Sequence, residues 1–422
     1  MAEKTKNSNT FRKYLTLVIL CIGAGLIYKV AYLREVFYEL LRQALNVTNE
    51  EVGALSTMYG TIAMFTFIPG GIIADKMNAK KLLAFSFLST AALTFWYATI
   101  PSYGTIKLIM ALMAITTDLT FWSTFLKGVR SLGTDDEQSK IWGLSEGIRS
   151  AAGILGSFAV LGIMEKASSS IGGLRGTLIF YGIVYAFVGV FVIFFMPDTE
   201  GGSQSTSEFK ISDVWKVLKS PGVWLVTLVI FGVYNLYVLQ SYTTPYLQNV
   251  CLVPAVIVGG VGIIRQYGIG LLSGPAVGMV GDKVGSPTKT LGICTIIIAV
   301  CVAGFIVLPA NTTIWLPVIL TVVLGFMVYA LRGVQYAVMP EAQIPLLITG
   351  TATGIISTVG YLPDIYIYTQ VGRWLDTYSP EKVYNMIFMY MLFMAALVLV
   401  GVLGILFLSR RALKQKKTSE EK

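Results

Sequence analysis

The chain has 422 residues, 55% of them hydrophobic and 13% charged, with a mean hydropathy of +0.70. A soluble chain is roughly 25% charged, so too little polar surface exists here to cover the several cores this length would imply in water. The apolar runs are continuous and reach the roughly 20 residues a bilayer-spanning helix needs. They do not alternate as barrel strands do, and the composition reads as a polytopic, all-α membrane protein.

The net charge is +9, and most of the excess sits at the two ends. Lys4, Lys6, Arg12 and Lys13 face only Glu3 near the start. Arg410, Arg411, Lys414, Lys416, Lys417 and Lys422 face Glu420 and Glu421 near the end. That placement suits a cytoplasmic membrane face with its anionic lipids. A nucleic-acid partner would want a folded basic domain, and none is expected. Histidine is absent, which removes the commonest metal ligand and any Ser-His or Cys-His nucleophile pair. Cys21, Cys251, Cys294 and Cys301 lie in or beside apolar segments without C-x-x-C spacing, as small buried apolar residues do. No metal, cofactor or enzymatic chemistry is expected. The first apolar run opens at Tyr14 and outlasts a signal-peptide core, so it is expected to remain as a helix.

Twelve spans can be read in chain order, near 14–41, 52–74, 80–100, 105–127, 141–163, 176–196, 222–249, 254–281, 288–309, 313–338, 346–372 and 382–409. An even number puts both termini on one side. The ends and the loops on that side carry 21 Lys and Arg. The opposite loops and helix edges carry six, namely Arg42, Lys107, Lys166, Arg175, Arg373 and Lys382. Both termini are therefore expected in the cytoplasm. The segment 197–221 is the one long polar connector, rich in Gly, Ser and Thr in its first part, as flexible linkers are. It divides the chain into a six-helix bundle over 1–196 and a second over 222–422.

The halves resemble each other. Gly71-Ile-Ile-Ala-Asp75-Lys76 matches Gly278-Met-Val-Gly-Asp282-Lys283, and Gly147-Ile148-x-Ser150-x-x-Gly153 matches Gly354-Ile355-x-Ser357-x-x-Gly360. Tyr59-Gly60 matches Tyr267-Gly268, and Leu126-Lys127-Gly128-Val129 matches Leu331-Arg332-Gly333-Val334. Tyr28-Lys29-x-x-x-Leu33-Arg34 faces Tyr234-Asn235-x-x-x-Leu239-Gln240. Five matches at nearly one offset, in chain order, indicate two pseudo-symmetric six-helix bundles. Parallel repeats of this kind build transporters that rock around a midplane site.

Charges in the hydrocarbon cost about 2.5–3.5 kcal/mol each on insertion scales and usually face a bundle interior or a watery cavity. The deep cations are Lys29 and Arg34 in span one, Arg265 in span eight and Arg332 in span ten. The deep isolated acids are Asp118 and Asp364, while Glu35 and Glu39 lie in the outer half of span one. On a straight helix Lys29 and Arg34 would point about 140° apart, so they would reach one wide cavity only from different depths. Either they contact substrate, or they pair with Glu35, Glu39 or an acid on another helix. Arg265 is the second candidate for substrate contact, against a structural pair with Asp364. Arg332 and its repeat partner Lys127 read as gating or snorkelling residues. Asp118 and Asp364 read as proton-coupling groups or as permanent ion-pair partners. Glu146 and Arg149, three apart on span five, can pair with each other. Tyr28, Tyr32, Tyr59, Tyr267 and Tyr361 have hydroxyls that could reach a ligand, although helix packing is the commoner role.

The segment from Gly71 through Asp75-Lys76 to Lys80-Lys81 resembles the loop motif between helices two and three of the major facilitator superfamily, and Gly278 to Lys289 resembles its second copy. The resemblance covers essentially the whole chain and implies the major facilitator fold. It also implies that Asp75 and Asp282 act as gate residues, with Gly71, Lys76, Gly278 and Lys283 in their motifs and Arg130 as partner of Asp75. Tyr32-Leu33-Arg34 resembles the organophosphate:phosphate antiporters, in which an arginine on this helix binds substrate phosphate. Ile27-Tyr28-Lys29, with Phe121-Trp122 to Arg130 and Glu137-Gln138, looks more like a bacterial inner-membrane branch beside those antiporters. The antiporters carry a second arginine on helix seven. Here Val223 to Asn249 contain no charge, and Asn235 and Gln240, which stand opposite Lys29 and Arg34, are expected with Tyr32 and Tyr267 among the substrate-binding residues.

The expectation is a monomeric secondary transporter of the cytoplasmic membrane, carrying a phosphate ester, sulfonate or carboxylate between its halves. The alternatives are a proton-coupled carrier or exporter of a neutral or other small solute, and a transporter-shaped sensor. The short basic tail after Leu408 disfavours the sensor.

Overall fold

A computed structural model describes residues 2–131, 138–196, 218–308, 313–344 and 349–420. The chain divides into two compact units, Met1–Gln204 and Ser205–Lys422. The described residues form helices and connecting turns, with no strand among them. Of the expected connector, 197–217 lie outside the described residues.

The first unit contains α1 (Ala2–Leu26), α2 (Arg34–Leu45), α3 (Asn49–Lys76), α4 (Ala79–Ala98), α5 (Tyr103–Ala114), α6 (Ser123–Ser131), α7 (Gln138–Lys166) and α8 (Ser170–Phe195). A π-helical stretch, Ile115–Trp122, joins α5 to α6. The starts follow local chemistry. Thr48 accepts from the Glu51 amide while the Glu51 side chain accepts from the Thr48 amide, a reciprocal box that opens α3. Asn78 and Ser169 cap α4 and α8 in the same sense with one bond each. The core is built on Leu17, Leu20, Cys21 and Ala24 of α1, Leu83 and Phe87 of α4, Phe121 and Phe125, and Val188 and Val192 of α8. Phe121 stacks on Phe125 with centroids 5.4 Å apart and meets Phe87 edge-on at 5.2 Å.

The second unit contains α9 (Pro221–Leu239), α10 (Thr243–Asn249), α11 (Ala255–Ile263), α12 (Ile269–Val284), α13 (Pro287–Val307), α14 (Trp315–Val334), α15 (Thr349–Gly360), α16 (Pro363–Thr377) and α17 (Pro380–Glu420). A 3-10 turn, Gln240–Tyr242, joins α9 to α10, and a π-helical stretch, Ile264–Gly268, joins α11 to α12. α12 ends on Gly285 at φ +66°, a left-handed position that favours glycine. α9 and α13 pack on α17, and α12 and α13 pack on α14. Phe305 of α13 stacks on Phe388 of α17 at 4.9 Å.

Among the described residues, eight helical segments are long and apolar enough to cross a membrane. They coincide with expected spans three to seven, nine, ten and twelve. Among the other four, span one breaks after Leu26, span eight at Ile264–Gly268 and span eleven between Gly360 and Pro363. Those three interruptions lie at the deep charged residues. In the long helices, buried hydroxyls return to the backbone. Ser86, Thr94, Thr177, Thr227, Thr295 and Thr321 each donate to the carbonyl four residues back. A polar group in hydrocarbon needs such a partner.

Candidate functional site

Lys29 and Arg34 do not stand on one straight helix, and the angular separation expected from the sequence does not hold. The chain from 27 to 33 leaves the α-helical pattern, and α2 restarts at Arg34. The Lys29 amide donates to the Leu26 carbonyl at 2.9 Å, three residues back, and the Glu35 amide to Tyr32 at 3.0 Å. A second donor reaches that carbonyl from another helix. Tyr185 of α8 donates its hydroxyl to the same Leu26 carbonyl at 2.7 Å, and a side chain inserted into the ladder is a standard source of a kink. A second irregularity follows at Phe37, with φ −117° and ψ 46°.

The break gathers buried charge. Lys29 is 7% exposed, Arg34 3%, Glu35 3% and Glu39 6%. Glu35 lies close enough to act electrostatically on Lys29. Glu39 pairs with Arg42 at 3.0 Å, so this acid is held by a cation one turn further out. The Arg34 guanidinium lies 5.5 Å from the Tyr38 ring centroid, and Tyr38 donates its hydroxyl to Asn49 at 3.0 Å.

Asp118 sits in the first turn of the π-helical stretch and is 5% exposed. Thr117 lies beside it, with Oγ1 3.3 Å from Asp118 Oδ2 and 2.7 Å from the Met113 carbonyl. Tyr59 Oη is 2.6 Å from Thr117 Oγ1, and Tyr28 donates to the Thr117 carbonyl at 3.0 Å. A threonine has one hydroxyl proton; when it goes to Met113, Tyr59 must be the donor to Thr117. Tyr32 meets the Tyr59 ring edge-on at 5.3 Å. α3 approaches this stretch at Gly70, where a Cβ would lie 2.7 Å from the Leu119 carbonyl oxygen. Arg149 of α7 lies over Trp122 and Phe125, at 5.3 and 5.5 Å. The side chain of Glu146, its expected partner, lies outside the described ones.

In the second unit Arg265 occupies the π-helical stretch and is 1% exposed. Gln240 opens the 3-10 turn and is fully buried. Both flank Gly325 of α14: a Cβ there would lie 2.6 Å from Arg265 Cγ and 3.6 Å from Gln240 Oε1. Asn235 donates to the Phe231 carbonyl at 2.9 Å and accepts from Tyr390 at 3.3 Å. Asp364, in the first turn of α16, accepts the Tyr234 hydroxyl at 2.6 Å. Tyr234 also meets Tyr361, with centroids 4.5 Å apart. Tyr361 in turn shares a hydroxyl contact with Tyr336 at 3.0 Å. Arg332 lies 4.1 Å from the Tyr237 centroid and 5.3 Å from that of Tyr234.

Two clusters thus emerge from the expected residues. One joins Tyr28, Tyr32 and Tyr59 to Asp118. The other joins Arg332, Tyr361 and Asp364 through Tyr234. The sequence reading missed Thr117, Tyr237, Gly325 and Tyr336, of which only Gly325, a glycine inside an apolar span, carried a local signal. Lys283 is exposed at the end of α12. Near it Ser286, which caps α13, donates to Glu341 at 3.0 Å. The surroundings of Gly71, Asp75, Lys76, Arg130, Tyr267, Gly278 and Asp282 lie outside the described ones.

The profile of the Major Facilitator Superfamily matches residues 20–366. The chain belongs to the Major Facilitator Superfamily. Membership makes it a transporter rather than an enzyme. It is similar to the inner membrane protein YqcE of Escherichia coli K12, 31% identical over 410 residues that cover 95% of this chain and 96% of that one. It is also similar to the inner membrane protein YihN of the same strain, 28% identical over 421 residues and covering 97% and 98%. Among solved structures of the superfamily fold, a mutant of the nucleoside transporter NupG matches at TM-score 0.74 and 15% identity, covering 93% of this chain and 99% of that one. A bacterial homologue of the human lysosomal transporter Spinster, inward-facing and unoccupied, matches at TM-score 0.75 and 12% identity, covering 96% and 98%. At such identities the likeness concerns the fold.

Proposed function

We propose that this superfamily member is a secondary transporter that carries a small organic anion across a bacterial cytoplasmic membrane by alternating access. The anion would be a phosphate ester, sulfonate or carboxylate, and both termini would face the cytoplasm. The supporting observation is the position of the buried cations. Lys29, Arg34 and Arg265 are 7%, 3% and 1% exposed, and each stands where regular α-helix is interrupted. Irregular backbone at membrane depth is tolerated where it is covered by protein or lines a watery path. A π-helical stretch is frequently a functional feature, and guanidinium suits fixed, bidentate recognition of an oxyanion. Asp118 and Asp364 serve as proton-coupling or ion-pair groups. Asp75, Asp282, Arg130 and Arg332 serve the gates. The likeness to inner membrane proteins supports the location.

The test is uptake by proteoliposomes loaded with candidate counter-anions. Arg34→Ala combined with Arg265→Ala is expected to abolish uptake of anions while the protein remains folded. Unchanged uptake would show the anion site to be elsewhere.

The proximity of Glu35 to Lys29 favours a second reading, in which that cation is balanced and the cargo is a neutral solute driven by protons. Under it, Lys29→Gln with Glu35→Gln would keep transport, because the pair is removed whole. The anion reading expects the double variant to lose it.

A further inference from the structure

The side-chain amide of Gln240 is fully buried, and neither its Nε2 nor its Oε1 has a hydrogen-bond partner among the described residues. Buried amides are ordinarily paired, and an unpaired one calls for an explanation. The backbone around it is pinned. Ser241 donates to the Val238 carbonyl at 2.7 Å, and Thr243 donates to the Gln240 carbonyl at 2.7 Å. The turn therefore holds the amide in place without satisfying it.

The stem of a cation passes the same glycine as that amide. Arg265, 1% exposed, runs its stem past Gly325, with Cγ 2.6 Å and Cδ 3.4 Å from the point a Cβ would occupy. Gln240 Oε1 lies 3.6 Å from the same point. The lack of a side chain at residue 325 is what lets the two groups share one side of α14. Whichever way the amide is turned, it presents donors and an acceptor. A bare carboxylate or sulfonate only accepts, so it would match Arg265 and leave Oε1 unmet. A hydroxyl both donates and accepts.

We propose that Gln240 and Arg265, set together over Gly325, form a two-point subsite for an anion that carries a hydroxyl beside its charge, with Gln240 taking the hydroxyl and Arg265 the anionic group. This rests on the anion-carrier reading and adds a selectivity to it. Gly325 is then a positioning residue, acting through Arg265. The subsite is covered in this conformation, so ligand entry requires the opening step of an alternating-access cycle.

The experiment measures binding to the purified full-length protein with matched pairs that differ by one hydroxyl: lactate and propionate, glycerol 3-phosphate and propyl phosphate, isethionate and ethanesulfonate. In at least one pair the hydroxylated member is expected to bind about tenfold or more tightly than its partner, since a site built to bond a hydroxyl rejects the analogue that lacks it. Gln240→Leu should bring that ratio to about one. It should not lower the melting temperature of the ligand-free protein, because it removes an amide that no described group satisfies. Gln240→Met gives the same test should the leucine variant not fold. Gly325→Ala, which forces the Arg265 stem aside, should weaken both members equally. A hydroxyl preference that survives Gln240→Leu or Gln240→Met, or no preference in the parent protein, would overturn the subsite and leave the anion carrier standing. That is also the result if a buried water satisfies the amide. Binding by no probe of any pair would overturn the anion reading and the subsite with it.

Discussion

Removing one hydroxyl tests the polar junction of the second unit. Tyr234→Phe deletes the donor that reaches Asp364 at 2.6 Å. It keeps the ring that packs on Tyr361 and carries Arg332. The size of the loss depends on the state of the acceptor. Interhelical hydrogen bonds between neutral groups in membrane proteins average about 0.6 kcal/mol and reach about 1.7. Bonds to charged groups contribute about 1.5–3 kcal/mol. Asp364 lies in the first turn of α16, where the helix dipole favours negative charge. For a carboxylate acceptor the larger range applies. The assay is a double-mutant cycle of Tyr234→Phe and Asp364→Leu, read by reversible denaturant unfolding in detergent at neutral pH. The expected coupling is about 1.5–3 kcal/mol. Because the cycle isolates the pairwise part, lost packing at residue 364 does not enter it. A coupling of about 0.6 kcal/mol or less would refute a charged bond at this junction. Asp364 would then be a neutral member of the cluster.

Two further predictions concern the first unit. A Cβ at Gly25 would run into the Arg149 carbonyl oxygen, whereas one at Gly147 meets nothing within 4 Å. Gly25→Ala should lower stability by about 1–3 kcal/mol as overpacking does, while Gly147→Ala stays within about 1 kcal/mol of the parent. Equal melting temperatures for the two variants would contradict the close approach of α1 and α7. Tyr185→Phe removes the hydroxyl that holds the Leu26 carbonyl. It should cost about 1 kcal/mol and change the reactivity of a cysteine placed at Ala31 toward a membrane-permeant maleimide. Unaltered labelling would mean that the break after Leu26 has another cause.

Much of the architecture was legible because it depends on quantities that are linear in the chain. Spans three to seven, nine, ten and twelve are long apolar runs, and a helix that satisfies its own backbone is the cheap way to place such a run in lipid. The duplicated motifs predicted two halves. The caps Thr48, Asn78, Ser169 and Ser286, which the sequence reading did not single out, start their helices by local bonding alone. The deep charges were equally visible, because Lys29, Arg34, Asp118, Arg265, Arg332 and Asp364 stand out against apolar neighbours.

What the sequence could not disclose is where those spans break and which polar groups meet. No proline or glycine lies between Leu26 and Arg34 to signal a break, and the estimate for Lys29 and Arg34 assumed a straight helix. At the interruption the hydroxyl of Tyr185, distant in the chain, bonds to the Leu26 carbonyl. The Thr117 carbonyl in the π-helical stretch likewise takes the hydroxyl of Tyr28. The placing of Gln240 and Arg265 beside Gly325, and the bond of Tyr234 to Asp364, depend on side chains reaching across from separate helices. Hydropathy and charge belong to single residues and survive in the linear order. A hydrogen bond between helices belongs to a pair, and only packing decides which residues become pairs.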